Sequence, residues 1–117
     1  MALDRKPSPR QTRVQSLVIE EVGKLLKREV ELPPDILVTI KGAKISPDLH
    51  YATLIVSVLP EHKTPSTLER LSKAAPHLQK ILNKNLTMKY VPMIRFAQDR
   101  SEERVTRISE VLKEEEK

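Results

Sequence analysis

Apolar positions along this chain follow two rhythms, and the changes between them divide it into elements. From Gln11 to Glu29, Val14, Leu17, Val18, Val22, Leu25 and Leu26 fall at helical spacing, with Arg13, Glu20, Lys24, Lys27 and Arg28 on the other side. This predicts an amphipathic helix. Pro33 and Pro34 end it, because proline brings no amide proton and restricts the residue before it. Two β-rich runs follow, Ile36 to Ser46 and Tyr51 to Leu59, joined by Pro47, Asp48, Leu49 and His50. They predict an antiparallel hairpin with a longer connection. In the second run Ala52, Leu54, Val56 and Val58 make one apolar face. In the first, the apolar parity is even at Ile36, Val38 and Ile40 but odd at Ile45, which requires one extra residue. A bulge costs least at Gly42 and Ala43.

Thr64 before Pro65 marks a second helix start, with the threonine side chain expected to cap it by accepting an amide. The pattern runs through Leu68 and Leu71 to Pro76 and resumes at Leu78, Ile81, Leu82 and Leu86. The expectation is a pair of helices meeting at a kink formed by Ala74, Ala75 and Pro76. Val91 to Ala97 alternates as a third strand, with Pro92 suited to a strand start or a sheet edge. Asp99 with Glu102 resembles a capping box ahead of Val105, Ile108, Val111 and Leu112, a last helix. The order α-β-β-α-α-β-α implies an α+β domain whose three-stranded sheet is covered on one face by helices. Residues 1–10 are expected to be a flexible basic arm, 11–112 the domain, and 113–117 a charged, fraying tail.

Composition narrows the class of partner. The net charge is +5, and setting aside the three terminal glutamates Glu114, Glu115 and Glu116 raises it to +8. A basic surface of this kind favours a polyanionic partner. Phe96, Tyr51 and Tyr90 are the only aromatic residues, so base stacking is not expected as a main mode. The chain has no cysteine, hence no disulfide, thiolate metal site or cysteine nucleophile. Its first ten residues lack the apolar stretch of a signal peptide, and no run approaches the ~18 apolar residues of a membrane span. A soluble, cytoplasmic protein without membrane contact is expected.

Lys73, His77, Lys80 and Lys84 fall at i, i+4, i+7 and i+11, one stripe opposite Leu78, Ile81 and Leu82, and are candidates for phosphate contact. Arg5, Lys6, Arg10 and Arg13 form a second basic cluster at the N-terminus. Lys24, Lys27 and Arg28 alternate with Glu20, Glu21 and Glu29, a pattern of helix ion pairing. Lys41, Lys44, Arg95 and Arg104 read as solvated surface. His50, His62 and His77 have neither metal spacing nor an acid cluster, and there is no phosphate loop, dinucleotide fingerprint or nucleophile triad. Neither catalysis nor a cofactor is expected.

The element order is that of a type II KH domain, and three stretches resemble the ribosome-binding factor A family. Ser46-Pro47-Asp48-Leu49-His50-Tyr51-Ala52 is similar to its S-x-D-L-x-x-A turn. Leu86 through Val91-Pro92 to Phe96 resembles its basic-apolar run ending V-P-x-L-x-F, and Asp99-Arg100-Ser101 stands where it has D-x-S. The joint order carries the resemblance, which spans Arg13 to Leu112. An ordinary KH domain closes on nucleic acid with a Gly-x-x-Gly loop. This chain has none, and where the family has an Ala-x-Gly kink it carries Ala74-Ala75-Pro76. The resemblance implies a KH-like factor, monomeric when free, that binds the immature small (30S) subunit and its 16S rRNA. It further implies help with late maturation and 5′-end processing, a link to growth in the cold, and release by a ribosome-associated GTPase. The alternatives are a general KH-like RNA-binding protein or chaperone, and a protein-interaction adaptor that adds a strand at the hairpin edge.

Overall fold

A computed structural model describes residues 7–100 of the chain. Helix α1, Pro9–Glu29, starts at a capping box: the Ser8 side chain accepts from the Gln11 amide, and the Gln11 side chain accepts from the Ser8 amide. Pro9 fits here because the first helical position needs no amide. The helix thus takes in Pro9 and Arg10, which the sequence pattern left in the arm.

Strands β1, Leu37–Ile45, and β2, Tyr51–Leu59, pair antiparallel. The register shifts between Ile40 and Gly42, so the bulge falls on Lys41, one residue before the expected pair. It has the anticipated effect, turning Val38 and Ile40 before it and Ala43 and Ile45 after it toward the same face. The connecting turn is built by the Ser46–Asp48 stretch. Ser46 Oγ donates to Asp48 Oδ1 at 2.6 Å and accepts from the Tyr51 amide at 2.9 Å, while the His50 amide donates to Asp48 Oδ1 at 3.1 Å. These bonds hold Leu49 at a φ of 64°, the left-handed region.

Helix α2, Thr64–Asn85, follows a short 3-10 turn, Glu61–Lys63. Thr64 is its first residue and not an accepting cap: its hydroxyl donates to the Glu61 carbonyl at 2.7 Å. The expected pair of helices is instead one helix with Pro76 inside it. Pro76 supplies no amide to the Ser72 carbonyl, but both residues lie on the exposed side, where water can satisfy that oxygen. The opposite side keeps Leu71, Leu78 and Leu82 fully buried in one unbroken stripe, which holds the two halves together.

Strand β3, Met93–Gln98, runs parallel to β2 in a sheet of order β1-β2-β3, with α2 as the crossover. Pro92 precedes this edge strand, as its missing amide requires. Both helices cover the same face of the sheet. Between them and it lies an aliphatic core of Val18, Val22 and Leu25 from α1, Ala43, Ala52, Leu54 and Ile94 from the strands, and Leu78 and Leu82 from α2. The helix expected beyond Asp99, the tail 113–117 and residues 1–6 lie outside the described residues.

Three glutamines finish the sheet. Gln11 and Gln15, one turn apart on α1, donate to the carbonyls of Ile45 and Ala43 on the edge strand β1 at 2.9 and 2.7 Å. Gln79 of α2 serves the other edge. Its Nε2 donates to the Pro92 carbonyl at 3.0 Å, and its Oε1 accepts from the Ile94 amide at 2.8 Å, as a neighbouring strand would.

Candidate nucleic-acid interface

Side-chain contacts give the relative direction of the helices. Asn85 donates to Glu21 Oε1 at 2.7 Å, His77 meets Glu29 Oε1 at 3.2 Å, and Arg70 donates to the Glu31 carbonyl at 2.9 Å. As numbers rise along α1 they fall along α2, so the helices are antiparallel. The C-terminal end of α2 therefore lies toward the N-terminal half of α1.

That arrangement divides the basic stripe into two unequal parts. Lys73, His77, Lys80 and Lys84 all lie on the exposed side of α2, opposite Leu71, Leu78 and Leu82. Lys73 Nζ, however, is 3.2 Å from Glu69 Oε1, one turn back, and His77 Nε2 is 3.2 Å from Glu29. An acid on the same helix and another on α1 thus reach residues that the spacing alone presents as an unopposed row. Lys80 and Lys84 have no carboxylate partner among the described residues. Arg10 and Arg13 are likewise exposed and unpaired there, on the first turns of α1. Arg13 lies eight residues before Glu21, which faces Asn85, hence about 12 Å farther along the helix axis. Lys80, by the same rise, lies about 8 Å the other way, so Lys80, Lys84, Arg13 and Arg10 are strung over about 24 Å along one half of the helical layer. Arg5 and Lys6 precede Arg10 in sequence and lie outside the described residues.

The pairing expected within α1 is realised only once, between Lys24 and Glu20 at 3.6 Å. Glu21 and Glu29 turn instead to Asn85 and His77 of α2, which periodicity within one helix cannot reveal. Lys27 and Arg28, also without a carboxylate partner among the described residues, occupy the last turn of α1, where positive charge complements the negative end of the helix dipole. In the helix-kink motif, Ala74 and Ala75 are half-buried and Pro76 exposed. With α2 continuous, no loop of free amides opens there to cradle a phosphate.

Chemistry of other kinds has little to work with. Among the described residues no group of three or more His, Asp or Glu could hold a metal ion, and no helix is long and apolar enough to cross a membrane. The Ser46 hydroxyl, then the His50 amide, hold the Asp48 carboxyl below the ordinary 3.8. Its role is in the turn.

Comparison with known proteins agrees with the fold. The Thermus thermophilus ribosome-binding factor A crystal structure aligns with a TM-score of 0.58 at 20% identity, covering 82% of this chain and 98% of that one. The solution structure of a Thermotoga maritima protein proposed to be a ribosome binding factor A aligns at 0.57 with 31% identity, covering 82% and 92%. Ribosome-binding factor A of Geotalea daltonii is 35% identical over 106 residues, 90% of this chain and 86% of that protein. The protein of the same description from Coxiella burnetii is 34% identical over 102 residues, 87% and 86%. A sequence model described as Ribosome-binding factor A matches residues 10–112, all of the sheet and both helices but for Pro9, and by these matches the chain belongs to the ribosome-binding factor A family.

Proposed function

We propose that this chain is a ribosome assembly factor that binds the immature small subunit through its 16S rRNA and acts by binding, not by chemistry. The observation that carries the proposal is the run of Lys80, Lys84, Arg13 and Arg10, all without acidic partners among the described residues, along one half of the helical layer of a ribosome-binding factor A family member. Coordinates of the Thermus thermophilus factor, 21% identical and with a TM-score of 0.58, have been fitted into the map of its complex with the 30S subunit, which supports the choice of partner. Arg5 and Lys6 would extend the cation cluster along the RNA. Lys73 and His77 contribute less, since each already faces a glutamate.

Phosphate contacts by lysine and arginine give affinity and position without reading sequence, so the factor would recognise the shape of a folding intermediate. Late maturation and 5′-end processing fit a protein that holds one rRNA conformation and then leaves. A cytoplasmic monomer discharged by a ribosome-associated GTPase, of most use in the cold when RNA misfolds persist, completes the proposal.

Sedimentation of the tagged chain in cell extract tests it. Comigration with small-subunit precursors, lost at raised salt, is the expected result. Even spread over all RNA would favour a general chaperone instead. Binding that survives nuclease and ignores salt would favour an adaptor, although Gln11 and Gln15 already occupy two carbonyls of the β1 edge where a strand would add.

A further inference from the structure

Both helices lie on one face of the sheet, and among the described residues the other face is bare. It exposes Tyr51 by 42% and Met93 by 60%, cross-strand neighbours at one end, and Leu37 and Leu59, by 58% and 54%, at the other. The charged residues that strand alternation places there are Lys41, Lys44 and Arg95, all basic and all exposed. None has a carboxylate partner among the described residues. The bulge contributes directly to this charge, because Lys41 is the extra residue that it inserts between Ile40 and Gly42.

One of these cations, Arg95, lies over an aromatic ring, and Lys44 shares its row. Lys44 pairs in register with Thr53, and Thr53 with Arg95, so the two cations flank one threonine in a single row about 10 Å wide. Arg95 Nε donates to Thr53 Oγ1 at 2.9 Å, which sets the guanidinium 5.0 Å from the centre of the Tyr51 ring. A guanidinium held by one of its five N–H groups keeps the others for an anion. A base can stack on an aromatic ring or on a guanidinium plane, and this pair offers both.

We propose that this open face is a second RNA-contact surface, taking a single-stranded segment with a base on the Tyr51–Arg95 pair and phosphates on Lys44, Lys41 and Arg95. It lies on the opposite side of the sheet from Lys80 and Lys84, so the chain would hold RNA on two sides. The uniform positive charge selects a polyanion, and the flat exposed ring beside Met93 selects unpaired bases over the closed backbone of a duplex. The inference rests on the reading of the chain as an RNA-binding factor.

The test is anisotropy titration of the full chain with a short fluorescent single-stranded RNA of mixed sequence. Tyr51→Ala should weaken binding about fivefold or more, Tyr51→Phe, which keeps the ring, by less than about twofold, and Lys44→Glu about fivefold or more with a shallower salt dependence. Tyr90→Ala, at the exposed residue before Val91, should have no effect. Photocrosslinking of a thiouridine-substituted strand to the unmutated chain keeps the test independent of variant folding: crosslinks are expected in the peptides holding Tyr51 and Arg95.

The proposal is overturned if Tyr51→Ala and Lys44→Glu both bind within about twofold of the parent. Crosslinks confined to the helices also overturn it. So does a dimer that binds no oligonucleotide and that Tyr51→Ala dissociates, since the face would then be a contact between copies. Loss of small-subunit association with Tyr51-dependent oligonucleotide binding intact would count against the ribosomal reading alone. Intact association with oligonucleotide binding indifferent to Tyr51 would count against this inference alone.

Discussion

Replacing Gln79 by leucine probes how β3 is held on its side away from β2, where no further strand lies among the described residues. The side chain makes two bonds to the backbone of β3, accepting from the Ile94 amide at 2.8 Å and donating to the Pro92 carbonyl at 3.0 Å. Leucine is close in size but offers neither group. Ile94 is 5% exposed and Pro92 fully buried, so water has poor access to the two orphaned groups. Each unsatisfied buried group costs about 1 to 3 kcal/mol, and leucine recovers part of this as apolar burial, giving a net loss of about 2 to 4 kcal/mol. That is a large share of the 5 to 15 kcal/mol typical of a domain. The chain has no tryptophan, so urea unfolding is best followed by far-ultraviolet circular dichroism. With a slope of about 1.5 kcal/mol per molar urea, a 3 kcal/mol loss moves the midpoint down by about 2 M. Hydrogen exchange should show the Ile94 amide losing protection in the same variant. Asn83→Ala is the control, since it removes only an exposed bond to Gln79. A loss below about 0.5 kcal/mol in Gln79→Leu would refute the idea that this side chain acts as the missing neighbour of β3.

Other predictions follow from the same structure. Pro76→Ala should raise stability by about 1 to 3 kcal/mol in thermal melts, because it returns an amide to the Ser72 carbonyl inside a helix that is already continuous. Deleting Lys41 should leave β1 paired in the same register, with the loss kept to about 1 kcal/mol, because Ile40, Gly42 and Ala43 then alternate as in a regular strand; cross-strand contacts in nuclear magnetic resonance spectra would show it. In a carboxylate titration Asp48 should have a midpoint below 3.8, and Ser46→Ala should move it upward by removing the largest stabiliser of the charged form. Because the folded state lowers this value, the turn's contribution is present above the ordinary aspartate range and fades as pH falls through the lowered midpoint.

Much of this architecture can be read from the chain. The even positions Ala52, Leu54, Val56 and Val58 declare one buried face, and the parity change between Ile40 and Ile45 demands an extra residue. Placing that residue at Lys41 was beyond reach, because the unbroken alternation of β2 does not say which partner residue is unpaired. The start of α1 escaped the pattern: Ser8 and Gln11 have the spacing of a capping box, but Pro7 and Pro9 disguise the stretch as an arm. Pro76 misleads for an energetic reason. A local rule predicts a break, but burial of Leu71, Leu78 and Leu82 on one stripe outweighs the single lost bond on the solvent side.

The candidate site was legible only as a list of cations. Its division into paired and unpaired residues depends on Glu29, 48 positions from His77 in the chain, and on the antiparallel placing of two helices. The open face depends on register in the same way: Lys44, Thr53 and Arg95 become one row only when three strands are aligned. Periodicity shows which side of an element is polar. It does not show which polar sides of different elements meet.

The central claim is that Lys80 and Lys84, with Arg10 and Arg13, bind the small subunit, and charge reversal at Lys80 and Lys84 tests it most directly. Neither side chain touches the core or an acid among the described residues, so the double change to glutamate should shift stability by no more than about 0.5 kcal/mol. Titration against purified immature small subunits at fixed salt should show affinity at least about tenfold weaker, equivalent to about 1.4 kcal/mol for two lost phosphate attractions. The comparison is Lys27 and Arg28 reversed together, whose charges complement the end of α1 and should matter more for stability than for binding. Unchanged affinity in the Lys80 and Lys84 variant, or a greater loss in the Lys27 and Arg28 variant, would contradict the account.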